Sequence, residues 1–217
     1  MNAPANPGRE GLYPEAPTVS RQQVADQYAA WRAGQTVTSE VVRSGLILSS
    51  EEDLALLNDP AVHDKEYGIV KRDDPLFGRI VGLRNKLLKV VEADMARTKL
   101  RGRMHMLTVA GMYNPATDVA QPLHVDGFTI PSMRWTVSHG VKGTRGANGA
   151  VCPDDIEPFG NHRLRAEVLV GDSEDCRLEP FQSEENEVTR FSNCAGVHGG
   201  PDDAGARVLT TATLHIE

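Results

Sequence analysis

His124 and Asp126 flank Val125 in the segment PLHVDGF of this 217-residue chain. On an extended backbone, side chains two residues apart point to the same side, so this imidazole and carboxylate can chelate one ion. A second histidine, His198, lies in NCAGVHGGP, just past an apparent strand over 188–194. Two histidines and one carboxylate on one face of a metal are the donor set suited to non-haem ferrous iron, and they leave three coordination positions open. His-x-Asp alone arises often by chance; the residues downstream give it weight. Arg207 follows His198 by nine positions at the start of a final strand over 207–217, and Thr211 shares its face by parity. A guanidinium inside a small barrel is costly unless it meets an anion. An oxo-acid carboxylate matches its fork with two hydrogen bonds.

The elements that must position these residues fall into two halves. Residues 1–19 hold four of the thirteen prolines and read as a flexible arm. Ser20, with Gln23 three residues on, predicts a capped helix carrying Val24, Tyr28 and Trp31 and stopping at Gly34. A strand-like stretch over 36–48 follows, then a short helix begun by Ser49 or Ser50 and ended by Asn58-Asp59-Pro60. Asp74-Pro75 predicts the start of an amphipathic helix over 74–98, with basic residues between its apolar positions. Beyond residue 103 the period changes to β-like runs at 103–113, 121–126, 129–139, 149–152, 163–170, 175–181, 188–194 and 206–216. The Gly-rich GTRGANGA reads as a hairpin or lid. Helices followed by strands predict a β-sandwich or barrel braced by a helical layer: one domain over 20–217, with support over 20–102 and barrel over 103–217.

Composition narrows the class. The formal charge of −7 argues against nucleic acid as the main partner. The charge is uneven: residues 71–103 carry 10 basic and 4 acidic side chains, whereas the segments on either side are net negative. The three cysteines, Cys152, Cys176 and Cys194, are odd in number and unpatterned, which argues against a disulfide framework. Cys194-x3-His198 has no partner pair at zinc-finger spacing. There is neither a basic-then-apolar leader nor an apolar run near the ~20 residues of a membrane span, so a cytoplasmic protein is expected. A homodimer is only the commonest default for its assembly.

PLHVDGF, then TRFSNCAGVHGGP, then GARVLTTATLHI together resemble the Fe(II)/2-oxoglutarate-dependent dioxygenase superfamily over roughly residues 103–216. HVDG and the chain's small size are also somewhat similar to the bacterial free-amino-acid hydroxylases within it. The resemblance implies a double-stranded β-helix (a distorted, cupin-like jelly roll) with helices packed on one sheet. It implies His124, Asp126 and His198 as iron ligands, and Arg207, with help from Thr211, as the anchor for 2-oxoglutarate. Tyr113, in GMYNP, would bond the same carboxylate. Fe(II), 2-oxoglutarate and O2 would together oxidise a C–H bond of a small molecule, such as an amino acid or natural-product intermediate, releasing succinate and CO2. Asp126 favours hydroxylation over halogenation, since related halogenases lack that carboxylate. Arg134 and Trp135 are candidates for the substrate; by parity they face opposite ways, and sequence leaves open which faces the barrel. Two other readings stand beside this one: a cupin-like metal enzyme without 2-oxoglutarate, and a non-catalytic jelly-roll binding module.

Overall fold

In the computed structural model, residues 10–117, 122–126, 130–157, 162–164, 170 and 177–217 are described. In chain order the elements are β1 (Gly11–Leu12), α1 (Arg21–Arg32), β2 (Val37–Ser39), β3 (Val41–Leu46), α2 (Glu51–Leu57), α3 (Pro60–His63), β4 (Gly68–Ile69), α4 (Val81–Thr98), β5 (Gly102–Tyr113), β6 (His124–Val125), β7 (Ser132–His139), β8 (Arg145–Val151), β9 (Ile156–Glu157), β10 (His162–Leu164), β11 (Leu178–Gln182), β12 (Glu187–Ser192), β13 (Val197–Gly199) and β14 (Gly205–Ile216). No helix among the described residues is long and apolar enough to cross a membrane.

The strands build two facing sheets. One has the order β1-β3-β12-β7-β14-β5-β4, the other β11-β8-β13-β6-β10-β9 with β2 added beside β8. From β5 onward the chain crosses repeatedly between them: β5, β7, β12 and β14 lie in the first sheet, and β6, β8, β11 and β13 in the second. Eight antiparallel strands wound between two sheets in this order are a double-stranded β-helix, a form of jelly roll. The expected fold class is therefore the observed one.

Period-2 alternation decides what each sheet hides. Along β7, Met133, Trp135 and Val137 turn outward and pack with Ala212 and Leu214 of β14 against Leu87, Val90 and Val91 of α4. Arg134, Thr136 and Ser138, the alternate set, turn into the sandwich. In the second sheet Val125, Ala147 and Val197 turn outward, toward Tyr28 and Trp31 of α1. α1 and α2 start as the sequence signals predict, each on a complete capping box: Ser20 with Gln23, and Ser50 with Asp53.

Four segments differ from expectation. Residues 10–19 are no free arm: β1 pairs with β3, and Tyr13 and Ala16 are buried. The backbone carbonyls of Ala16 and Pro17 accept hydrogen bonds from Arg97 and Arg190. The long helix begins at Val81 instead of residue 74; Asp74 caps a preceding turn, its Oδ1 accepting from the Leu76 amide at 2.9 Å. Gly78 and Gly82 weaken helical continuity there. GTRGANGA is no lid but most of β8, flanked by β11 and β13. Its glycines are steric: a Cβ on Gly146 would lie 3.0 Å from the Val197 carbonyl oxygen and 3.0 Å from a Val41 methyl. Finally, the segment 36–48 divides between sheets, β2 joining β8 and β3 joining β12. Cys176 and most of the strand expected over 163–170 lie outside the described residues, whereas the strand expected over 175–181 is largely present as β11.

Candidate metal centre

β6 and β13 are neighbours, and their register sets His198 directly opposite His124. Both rings therefore leave the same face of the second sheet, and Asp126, two residues beyond His124, joins them. Their ligating atoms all lie within 4.8 Å of one another, and all three residues are buried. His124 Nε2 is 3.8 Å from Asp126 Oδ1, and His198 Nε2 is 3.6 Å from Asp126 Oδ2.

Three local features fit this triad to a cation. Each ring uses Nδ1 on the backbone carbonyl two residues upstream: His124 on Pro122 at 2.8 Å, His198 on Gly196 at 2.9 Å. Donation by Nδ1–H fixes the tautomer whose Nε2 carries the lone pair, as metal-ligating histidines require. Burial pushes His198 down to about 3, so its imidazole is neutral and ligand-ready at physiological pH. Phe191 stacks on that ring at 4.1 Å. Asp126 Oδ2 is buried without a well-formed hydrogen bond, although Arg134 Nη1 lies 2.7 Å away as an ion-pair partner. A buried carboxylate oxygen with capacity to spare beside two imidazoles suits Fe(II) or a similar divalent ion.

The triad opens into a cavity of about 430 Å³ between the sheets, within the ~300–1,000 Å³ typical of small-molecule sites. Across from it stands Arg207 on β14, only 3% exposed, yet with no carboxylate within ion-pair distance among the described residues. Arg207 Nε donates to Ser138 Oγ at 2.9 Å, and its guanidinium lies over the rings of Tyr113 at 4.8 Å and Tyr67 at 5.6 Å. One edge of the planar group is thereby held and its face supported, so the other nitrogens remain to meet an anion. Thr211 lines the same cavity, as do Thr136 and Thr144, whose hydroxyls lie 2.9 Å apart.

The cavity thus gathers His124, Asp126, His198, Arg207, Thr211, Tyr113 and Arg134. It uses two of them differently from the expectation. Tyr113 Oη donates to the Pro201 carbonyl at 3.0 Å, so its single proton is committed and the ring serves as a floor for Arg207. Gly200 must lack a side chain here, because a Cβ would come within 2.3 Å of that hydroxyl. Arg134 reaches Asp126 within the site itself. Trp135 is not brought to the cavity: it is fully buried on the opposite face, its Nε1 donating to Asp94 Oδ2 at 2.9 Å. Cys194 sits in the outward apolar cluster while His198 faces the cavity, which separates them as zinc partners. His215 lies at the far end of β14, edge-on to His105 at 4.8 Å. Ser138 shares the parity of Arg134 along the strand expected over 129–139 and follows it to the inner face. Tyr67 carries no signal in the sequence.

No family model and no curated protein matches the chain. Among solved structures, it is similar to the apo Kdo hydroxylase KdoO, described as a non-haem Fe(II) α-ketoglutarate-dependent dioxygenase. The identity is 10%, the alignment covers 92% of this chain and 86% of that one, and the TM-score is 0.48. It is also similar to iron-bound HygX from Streptomyces hygroscopicus, at 14% identity, 92% and 87% coverage, and a TM-score of 0.46. Likenesses this distant assign no residue a role.

Proposed function

We propose that this chain is an Fe(II)/2-oxoglutarate-dependent oxygenase that oxidises a C–H bond of a small molecule. The observation that carries the reading is Arg207, a buried cation without a carboxylate partner among the described residues, facing the same cavity as a His-Asp-His triad. A triad alone would serve many metal enzymes. A triad with a buried, pre-oriented guanidinium across the cavity suits a cosubstrate with an oxo-acid head at the metal and a second carboxylate at the arginine.

His124, Asp126 and His198 would hold the iron. When bound, iron with 2-oxoglutarate supplies oxygen activation and C–H oxidation, giving succinate, CO2 and the oxidised substrate. The chain's own contribution is position and polarity. The Pro122 and Gly196 carbonyls keep both imidazoles aimed inward. Ser138, Tyr67 and Tyr113 orient Arg207 toward the carboxylate. Arg134 pairs with Asp126 Oδ2 and donates through Nε to Thr213 Oγ1 at 3.3 Å, and it lines a cavity where an amino acid or natural-product intermediate with an acidic group would fit. Val109 and Leu209 give the cavity an apolar wall that limits water near the reacting carbon.

Aerobic incubation with Fe(II), 2-oxoglutarate and a panel of amino acids and natural-product intermediates tests the proposal. Substrate-stimulated succinate release, matched by one oxidised product per succinate, is expected. Metal binding without any 2-oxoglutarate turnover would favour a metal enzyme of another kind.

A further inference from the structure

Beside the mouth of the metal cavity lies a second pocket, of about 300 Å³, lined by Val70, Lys71, Arg72, Phe77, Arg84, Met106, Leu107 and Thr108. We infer that this pocket binds a phosphate-like, multiply charged anionic group carried by the substrate at a distance from the oxidised carbon.

Three of its lining residues are cations: Lys71 and Arg72, exposed just after β4, and Arg84, half-buried on the first turn of α4. None has a carboxylate within ion-pair distance among the described residues. The neighbouring Asp74 is committed to Lys65 at 2.7 Å, and Asp73 is exposed and does not line the pocket. Arg84 lies over the Phe77 ring at 5.7 Å, which supports the planar guanidinium while leaving its edge open. These residues belong to the one basic stretch of an otherwise acidic chain. Like cations held around one concavity repel one another, and an anion that satisfies them together relieves that cost.

The location ties the pocket to the site. Leu107 lines both cavities. The chain passes directly between them, Gly68 and Ile69 lining the metal cavity and Val70, Lys71 and Arg72 the basic pocket. Ile69 and Leu107 are 53% and 42% exposed, so the path from one to the other is an open apolar lip. A molecule with an apolar body on that lip would place its anion on the three cations and its reacting end toward the triad. That the anion belongs to a substrate rests on the oxygenase reading; the anion site itself does not.

Calorimetric titration of inorganic phosphate into the full chain, at fixed ionic strength, tests this. Saturable binding is expected. It should weaken at least about tenfold in Lys71→Ala/Arg72→Ala/Arg84→Ala and, separately, in the exposed charge reversal Arg72→Glu. It should persist in Arg207→Ala and in the control Lys89→Ala, and acetate should bind at least about tenfold more weakly than phosphate. Binding that survives the triple substitution, disappears in Arg207→Ala, or never saturates would overturn the inference. The visible band of the Fe(II)–2-oxoglutarate complex reports on the oxygenase reading independently. Phosphate binding without the band would retain the pocket and remove that reading. The band with phosphate binding unchanged in the triple variant would remove the pocket alone.

Discussion

Asp126 stands where three demands meet: it faces both imidazoles, it pairs with Arg134, and one of its oxygens lacks a directed hydrogen bond. Asp126→Ala removes the only carboxylate of the triad and leaves Arg134 without this anion. Isothermal titration should therefore show loss of Fe(II) or Mn(II) binding by at least about 100-fold. Arg207→Ala should behave differently. The triad is untouched, so metal affinity should hold, while the 2-oxoglutarate concentration for half-saturation should rise by at least about tenfold. Unchanged cosubstrate affinity would contradict the role of Arg207. Gly200→Ala is a subtler probe, because the new methyl group must displace the Tyr113 hydroxyl and with it the floor beneath Arg207. The same shift in cosubstrate affinity, in smaller degree, is expected from steady-state kinetics.

At the scale of elements, α4 is fastened to the first sheet by charge as well as by apolar contact. Asp94, with 0% exposure, accepts from Arg190 at 3.0 and 2.8 Å, from Arg97 at 2.7 Å and from the Trp135 indole. The two arginines also hold the carbonyls of residues 16 and 17, so one carboxylate joins α4, β7, β12 and the N-terminal strap. Asp94→Ala leaves a buried Arg190 uncompensated and should cost about 3–5 kcal/mol in urea unfolding. His139, at the end of β7, gives the fold an acid limit. Burial pushes it down to about 4, the Asn186 side chain offsetting part of that, and neither ring nitrogen completes a well-formed hydrogen bond. The folded state thus binds fewer protons than the unfolded chain between that value and the ordinary histidine range near 6.5. Stability is fully present above 6.5 and falls as pH drops toward 4, by on the order of 3 kcal/mol from this residue. His139→Leu should flatten the pH dependence of the urea midpoint over that window. Elements of this scale were unevenly legible in sequence. β5 and β14 announce themselves by length and alternation, and the capping boxes of α1 and α2 mark their starts. β13, three residues bounded by glycine, is too short to show a period, and β8 is glycine-rich because its neighbours crowd it. Which face of β7 looks inward depended on α4 covering the other, a tertiary fact that also took Trp135 away from the site.

For the whole molecule, the winding of eight strands between two sheets is what makes a short motif into a centre. His124-x-Asp126 was legible from spacing and Arg207 from parity, but their meeting across a cavity is a product of register: β13 against β6, and β14 against β7. Thr136 and Ser138 follow Arg134 by parity, but Thr144 and Tyr67 enter only through that cross-strand packing, which leaves no pattern along the chain. Under the proposed function, net charge is a poor guide to ligand charge. An acidic chain concentrates positive charge at two places, a buried arginine in the cavity and a basic pocket at its lip. The central claim is that the triad and Arg207 act as one site for a metal and an oxo-acid. Its most direct test is an anaerobic titration of Fe(II) and then 2-oxoglutarate, followed by visible absorption. A weak charge-transfer band should develop for the native chain, vanish in Asp126→Ala, and require higher 2-oxoglutarate in Arg207→Ala. Bound iron with no band at saturating 2-oxoglutarate would contradict the account.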